Sequence, residues 1–140
     1  ESLTMALDRH IRAQFRLSED IVKSIPNLEP GLRNEAKVRA AAELEAAVKL
    51  MKRARTQTNV PRHGSGEMVR SAELLVIAAE TALTNDNFEL ARQLTSDTFL
   101  ANPPRDQFYA RALFVVSACK AREAYDQELH GSDAVRQRLR

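Results

Sequence analysis

Residues 78–99 read AAETALTNDNFELARQLTSDTF, and the meaning of the three residues at their centre decides the fold. Both flanks are spaced like helix faces, whereas Asn85-Asp86-Asn87 is a cluster that belongs at a helix end, not in a helix interior. There is no room for a long loop between the two apolar flanks. The cluster therefore reads as the tight corner of an antiparallel helix pair, since Asn and Asp tolerate the left-handed conformation and cap the free amides of a following helix.

Working outward, the residues before the corner predict a helix over 67–84. Ala72, Leu75, Ala79 and Leu83 form one stripe, and Leu74, Ile77 and Ala78 widen it, so contact on two sides is expected. After the corner, a helix over 87–101 buries Phe88, Ala91, Leu94 and Phe99 before NPPRD stops it. A last helix over 106–129 carries Phe108, Ala112, Val115, Val116 and Cys119, and Gly131 is expected to end it, with Ser132 or Asp133 capping the next. On the amino-terminal side, Leu3, Leu7, Ile11, Phe15, Val22 and Ile25 share one face of a helix over 3–25, which Pro26 ends. Two prolines in PNLEPG make a short corner. A helix over 32–55 follows, with Leu32, Leu44, Val48 and Met51 on one face and Ala40, Ala41, Ala42, Ala46 and Ala47 between them, small enough to let a neighbouring helix come close. TQTNVPRHGSGE is the most loop-like stretch, giving an exposed loop over 56–66 inside one domain.

Composition agrees with this reading. The chain has 140 residues, 44% apolar and 29% charged, with only 5% aromatic residues, no Trp and four glycines. A chain of this size supports one real core, and a shortage of turn and strand formers favours an all-α protein over a β-sandwich. The net charge of +2 is nearly balanced, 21 basic against 19 acidic residues, so no nucleic-acid footprint is implied. The single Cys119 has no internal disulfide partner, which suits a reducing compartment. No 18-residue apolar run, signal peptide or lipidation motif is present, so a soluble intracellular protein is expected. Beginning at Glu1 and stopping inside SDAVRQRLR, the sequence is expected to be a piece of a longer chain.

Shifting the chain by 34 residues superposes Leu75 on Tyr109, Ala78 on Ala112 and Ala82 on Val116, the period of tetratricopeptide repeats. Phe88, Ala91 and Pro103 also stand where such a repeat places an aromatic, a small residue and a proline. Ala79, Ala82 and Thr95 depart from the pattern, and the last helix outruns the repeat length. The fold expected is an antiparallel helix-pair, tetratricopeptide-like α-solenoid segment, with an irregular helical bundle as the alternative. A lone pair cannot bury both faces and must stack on neighbours.

Chemistry-bearing residues are sparse. His10, His63 and His130 have no partner at metal-ligand spacing, Cys119 lies on a core stripe, and no phosphate loop, nucleophile elbow or carboxylate dyad occurs. No catalytic residue, metal or cofactor is assigned. The candidate interaction surface is Arg33, Lys37, Arg39, Lys49, Lys52, Arg53, Arg55 and Arg62, a basic run that could meet an acidic partner such as tubulin or remain a solvated face. Phe108 and Tyr109, just after Pro103-Pro104, are expected to lock the preceding helix or contact a partner. Without interleaved aromatics the basic run does not suggest single-stranded nucleic acid.

The runs AVKLMKRA, ELLVIAAETALTNDNFELARQLTSDTF and PRDQFYARALFVVSACKA resemble the amino-terminal helical region of a large cilia- and flagella-associated protein family of the axonemal central apparatus. The resemblance spans roughly residues 40–122. It rests on Ala79, Glu80, Ala82 and Leu83, and on Pro104, Gln107, Phe108, Arg111 and Ala112, in that order and spacing. It implies a non-enzymatic scaffold in a central-pair projection that supports ciliary motility. The implied partners are other projection subunits and, directly or indirectly, tubulin, with no membrane, nucleic acid or small-molecule substrate. The competing expectations are a free tetratricopeptide adaptor that binds a peptide in the cytosol and a helical accessory domain of an enzyme.

Overall fold

The computed structural model of the chain describes residues 3–56, 72–101 and 107–139. Five α-helices build it, with no strand among the described residues: α1 Leu3–Ser24, α2 Pro30–Thr56, α3 Ala72–Thr84, α4 Phe88–Ala101 and α5 Gln107–Leu139, plus a 3₁₀ turn Ile25–Asn27. The protein is all-α, as the spacing predicts. Two antiparallel hairpins, α1–α2 and α3–α4, stack through α1 and α3, and α5 lies against both α3 and α4.

The prolines set the first corner. Pro26 sits at the start of the 3₁₀ turn, which closes with the Leu28 amide donating to the Ile25 carbonyl at 3.0 Å. Pro30 then opens α2, two residues earlier than the sequence reading placed it, because a residue with fixed φ and no amide hydrogen suits the first helical position. Arg33 reaches back to hold this corner, donating from Nε to the Leu28 carbonyl at 3.1 Å and from its guanidinium to the Pro26 carbonyl at 3.3 Å.

The core runs through Ile11 and Phe15 of α1, Leu44 and Met51 of α2, Leu74, Leu75 and Ala78 of α3, Leu94 of α4 and Val115 of α5. Ala40, Ala47 and Ala54, each two helical turns from the next, form a seam no more than 1% exposed, so α1 can pack close to α2. The expectation of close approach through alanines holds for Ala40 and Ala47, while Ala41, Ala42 and Ala46 face outward. Two residues assigned to core faces are exposed, Leu3 at 86% and Leu32 at 49%, each in the first turn of its helix. The wide stripe of α3 does meet several neighbours: α1, α2, α4 and α5 all pack on it.

The Asn85-Asp86-Asn87 corner is built from two interlocked caps. The Asn87 amide donates to the Ala82 carbonyl at 2.9 Å and the Asp86 amide to the Leu83 carbonyl at 3.0 Å, the double closure of a Schellman motif. Asp86 supplies the left-handed residue with φ 58°, the one such non-glycine among the described residues. Asn87 then caps α4, its Oδ1 accepting from the Leu90 amide at 3.2 Å.

The carboxyl-terminal helix departs from expectation. Gly131 was expected to stop it, but α5 runs unbroken to Leu139, and no new cap forms at Ser132 or Asp133. Gly131 stays out of the left-handed region, so it makes no cap. An interior glycine costs roughly 1 kcal/mol relative to alanine, less than breaking the helix and leaving a fresh set of end groups unsatisfied. The start of the helix expected over 67–84, the loop expected over 56–66 beyond Thr56, and the NPPRD stop lie outside the described residues.

The corner carries a stability prediction. Asp86→Gly should leave urea-unfolding stability unchanged or raise it by up to about 1 kcal/mol, whereas Asp86→Val should lower it by about 1–2 kcal/mol and Asn87→Ala by about 1 kcal/mol. Equal effects of Gly and Val at position 86 would show that the left-handed backbone does not set the cost.

Candidate docking surfaces

On one side of the stack, charge couples α1, α3 and α5. Arg12 donates from Nε to Asp8 Oδ2 and from its guanidinium to Glu73 Oε1, both at 2.8 Å. Burial alone lowers the Arg12 pKa, and the hydrogen bonds with Glu73 and Asp8 more than offset it, so the guanidinium is held charged. Asp8 is only 2% exposed, and its Oδ1 has no hydrogen-bond partner among the described residues. Arg111 of α5 forms a two-pronged pair with Glu80 of α3, Nε to Oε2 at 2.9 Å and the second prong to Oε1, while its guanidinium lies 5.1 Å from the centre of the Phe108 ring. The Glu80 hydrogen bond raises the Arg111 pKa against an opposing burial effect. Glu80 and Arg111 each belong to one of the two short motifs that carry the sequence resemblance, and the fold brings them together.

The basic residues of α2 do not form a single patch. At about 100° per residue they wind around the helix. Arg33 is consumed by the first corner, and Arg39 lines a recess with Ile21, Leu28 and Leu32. Lys37 and Arg53 are exposed, and Arg55 is half-buried. Arg62 lies outside the described residues. Lys49 and Lys52 converge on the second hairpin: they line a recess of about 380 Å³ between α2 and the α3–α4 corner, together with Leu44, Val48, Asn85, Asn87 and Leu90. Lys49 pairs with Glu45 at 3.2 Å, with both side chains about 70% exposed, an interaction of little energetic weight.

Phe108 is half-buried under Arg111, and Tyr109 is 48% exposed. A larger apolar surface lies further along α5. Phe114 at 68%, Tyr125 at 55%, Leu129 at 47%, Val135 at 55% and Leu139 at 82% exposure fall within about 60° either side of Phe114, a sector about 120° wide centred away from buried Ala112, Val115 and Cys119. The second half of α5 passes the start of α4: from Lys120 onward every residue whose exposure is described is exposed except half-buried Asp126. Sequence reading missed this stripe because it followed only the spacing of the core face. Phe114, Tyr125 and Leu129, standing off that face, were the available signal.

Cys119 is buried, and its Sγ donates weakly to the Phe88 carbonyl at 3.7 Å. Burial pushes its thiol pKa up, with Arg92 opposing. Arg122, 5.1 Å from the centre of the Phe88 ring, closes the same contact from above. His10 and His130 are exposed, and His63 is outside the described residues. No group of three metal-binding side chains and no helix long and apolar enough to cross a membrane occurs among the described residues. In comparisons with protein-family models, curated proteins and solved structures, nothing matches this chain.

Two outcomes follow. Arg12→Leu strands the buried Asp8 carboxylate and should destabilise by roughly 3–5 kcal/mol, while Asp8→Asn costs less, because it leaves no unpaired buried charge. Guanidinium unfolding of the two variants gives the order. Cys119 should be alkylated by iodoacetamide about tenfold more slowly in the folded chain than in urea. Its raised folded-state pKa contributes stability fully below the ordinary thiol range, and that contribution is lost as pH rises through the folded value.

Proposed function

We propose that this chain is a non-enzymatic structural module that docks through α5 into a larger protein assembly. The observation that carries this reading is the exposed apolar stripe on a helix that outruns its own bundle. An isolated helical extension of this length is marginal in water, so it gains its stability from something packed along it. A partner covering the stripe from Phe114 to Leu139, about 38 Å long and 10 Å wide, buries on the order of 800 Å² counting both sides, so α5 supplies one part of a specific interface and not the whole of it.

The assembly we propose is the projection of the ciliary central pair, with other projection subunits as partners, tubulin reached directly or indirectly, and ciliary motility as the output. What supports this finer reading is the sequence resemblance, whose two short motifs contribute the Glu80–Arg111 pair. The adaptor reading is favoured by a different observation, the lysine- and asparagine-rimmed recess beside α2.

In ciliated cells, Phe114→Glu combined with Tyr125→Glu should leave the helical circular-dichroism signal intact and deplete the protein from isolated axonemes, measured by quantitative proteomics. If the unaltered protein is itself absent from axonemes, the ciliary assignment is wrong and the adaptor reading replaces it.

A further inference from the structure

The recess between α2 and the α3–α4 corner has the ingredients of a peptide-binding site. Its floor is apolar, with Leu44 and Val48 at 2% and 6% exposure and the half-buried Leu90 as one wall. Its rim is polar and asymmetric in charge: Lys49 and Lys52 stand against Glu45 alone, beside the side chains of Asn85 and Asn87. At about 380 Å³ it accepts one large apolar side chain and a short length of backbone. Lys52 makes no ion pair among the described residues, and Lys49 is tied only to the solvent-exposed Glu45. Both ammonium groups can therefore take an incoming carboxylate at little cost.

The corner makes this rim rigid. Asn85 is pinned by its Nδ2 donating to the Thr81 carbonyl at 2.9 Å and to Ser18 Oγ at 3.0 Å, and Asn87 is pinned by capping α4. Two side chains already fixed by the fold lose little further entropy when a ligand arrives. The floor selects an apolar anchor and the rim selects negative charge next to it.

We propose that this recess binds an acidic peptide segment of a partner protein, one apolar side chain entering over Val48 and Leu90 and flanking carboxylates pairing with Lys49 and Lys52. The proposal rests on the adaptor reading only in treating the recess as a protein-binding surface, and it is independent of the ciliary assignment and of the α5 stripe.

The test is fluorescence anisotropy of the full 140-residue chain with a short fluorescein-labelled peptide carrying one Leu between Asp and Glu residues. Two control peptides accompany it, one with Lys in place of every acid and one with Ser in place of Leu. The acidic peptide should bind, more weakly as salt rises from about 50 to 300 mM, and neither control should. Lys49→Glu and Lys52→Glu should each weaken binding about tenfold, while Lys37→Glu, exposed on α2 but about 18 Å or more along the helix from both, should not. The Asn85 and Asn87 side-chain amide resonances should shift on titration, with circular dichroism confirming that every variant is folded. No binding of the acidic peptide up to about 1 mM overturns the proposal. So does equal binding of the Lys-substituted peptide, or a concentration-dependent dimer that Lys52→Glu abolishes, which would make the recess a contact between two copies. Loss of axonemal retention in the α5 variants leaves each of these outcomes unaffected, so the two readings fail separately.

Discussion

The Ser18 hydroxyl is fully buried, donates to the Ala40 carbonyl at 2.7 Å and accepts from Asn85 Nδ2 at 3.0 Å. One oxygen thus joins α1, α2 and the α3–α4 corner. Apolar packing is non-directional and would tolerate a hairpin sliding along its neighbour, but a buried hydroxyl with both partners in place fixes one register, because any slip leaves polar groups unpaired in the core. Next to it, Thr81, itself fully buried, donates to the Ile77 carbonyl at 2.9 Å and approaches Glu19 Oε1 at 3.3 Å. With the first hairpin set against the second, Glu73 and Glu80 on α3 meet Arg12 from α1 and Arg111 from α5. The rim of the recess beside α2 likewise depends on where Ser18 holds Asn85.

This hub also shows what a single sequence makes legible. The corner at Asn85-Asp86-Asn87 could be read because its chemistry is local: left-handed tolerance and capping are properties of three consecutive residues, and the structure uses them in that way. Helix faces could be read for the same reason, since Ile11, Phe15, Leu44, Met51, Leu75 and Ala112 repeat at helical spacing and are buried. Ser18, Asp8 and Thr81 were not legible as core residues. Their burial depends on partners 22, 4 and 62 positions away, and polar side chains on a helix face ordinarily signal solvent. Gly131 misled because a glycine after a periodic run is a frequent stop, yet whether it acts as one depends on its backbone conformation.

The same contrast governs the charged surface. A run of basic residues in α2 looks like one patch in a linear string, but helical geometry distributes it: Arg33 becomes a corner clamp, Arg39 turns to a recess shared with α1, and Lys49 and Lys52 face the second hairpin. What they face there is the corner itself, so the residues that end α3 and begin α4 also furnish half of the recess rim. Structural roles and the proposed recognition role converge on Asn85 and Asn87, so substitutions there are expected to change both at once.

The length of α5 has a geometric consequence. Its 33 residues make a rod of about 50 Å, with the first part clamped to α3 and α4. Whatever grips the far end is then held at a set distance and a set azimuth from the hairpin stack, as on a ruler with an engraved face. Removing one residue between Tyr125 and Leu129 shortens this spacer by only about 1.5 Å but turns Leu129, Val135 and Leu139 together through about 100° relative to Phe114 and Tyr125. Removing seven shifts the far end by about 10 Å and nearly preserves its facing, with a drift of about 20°. Phase, more than length, is the quantity this helix transmits.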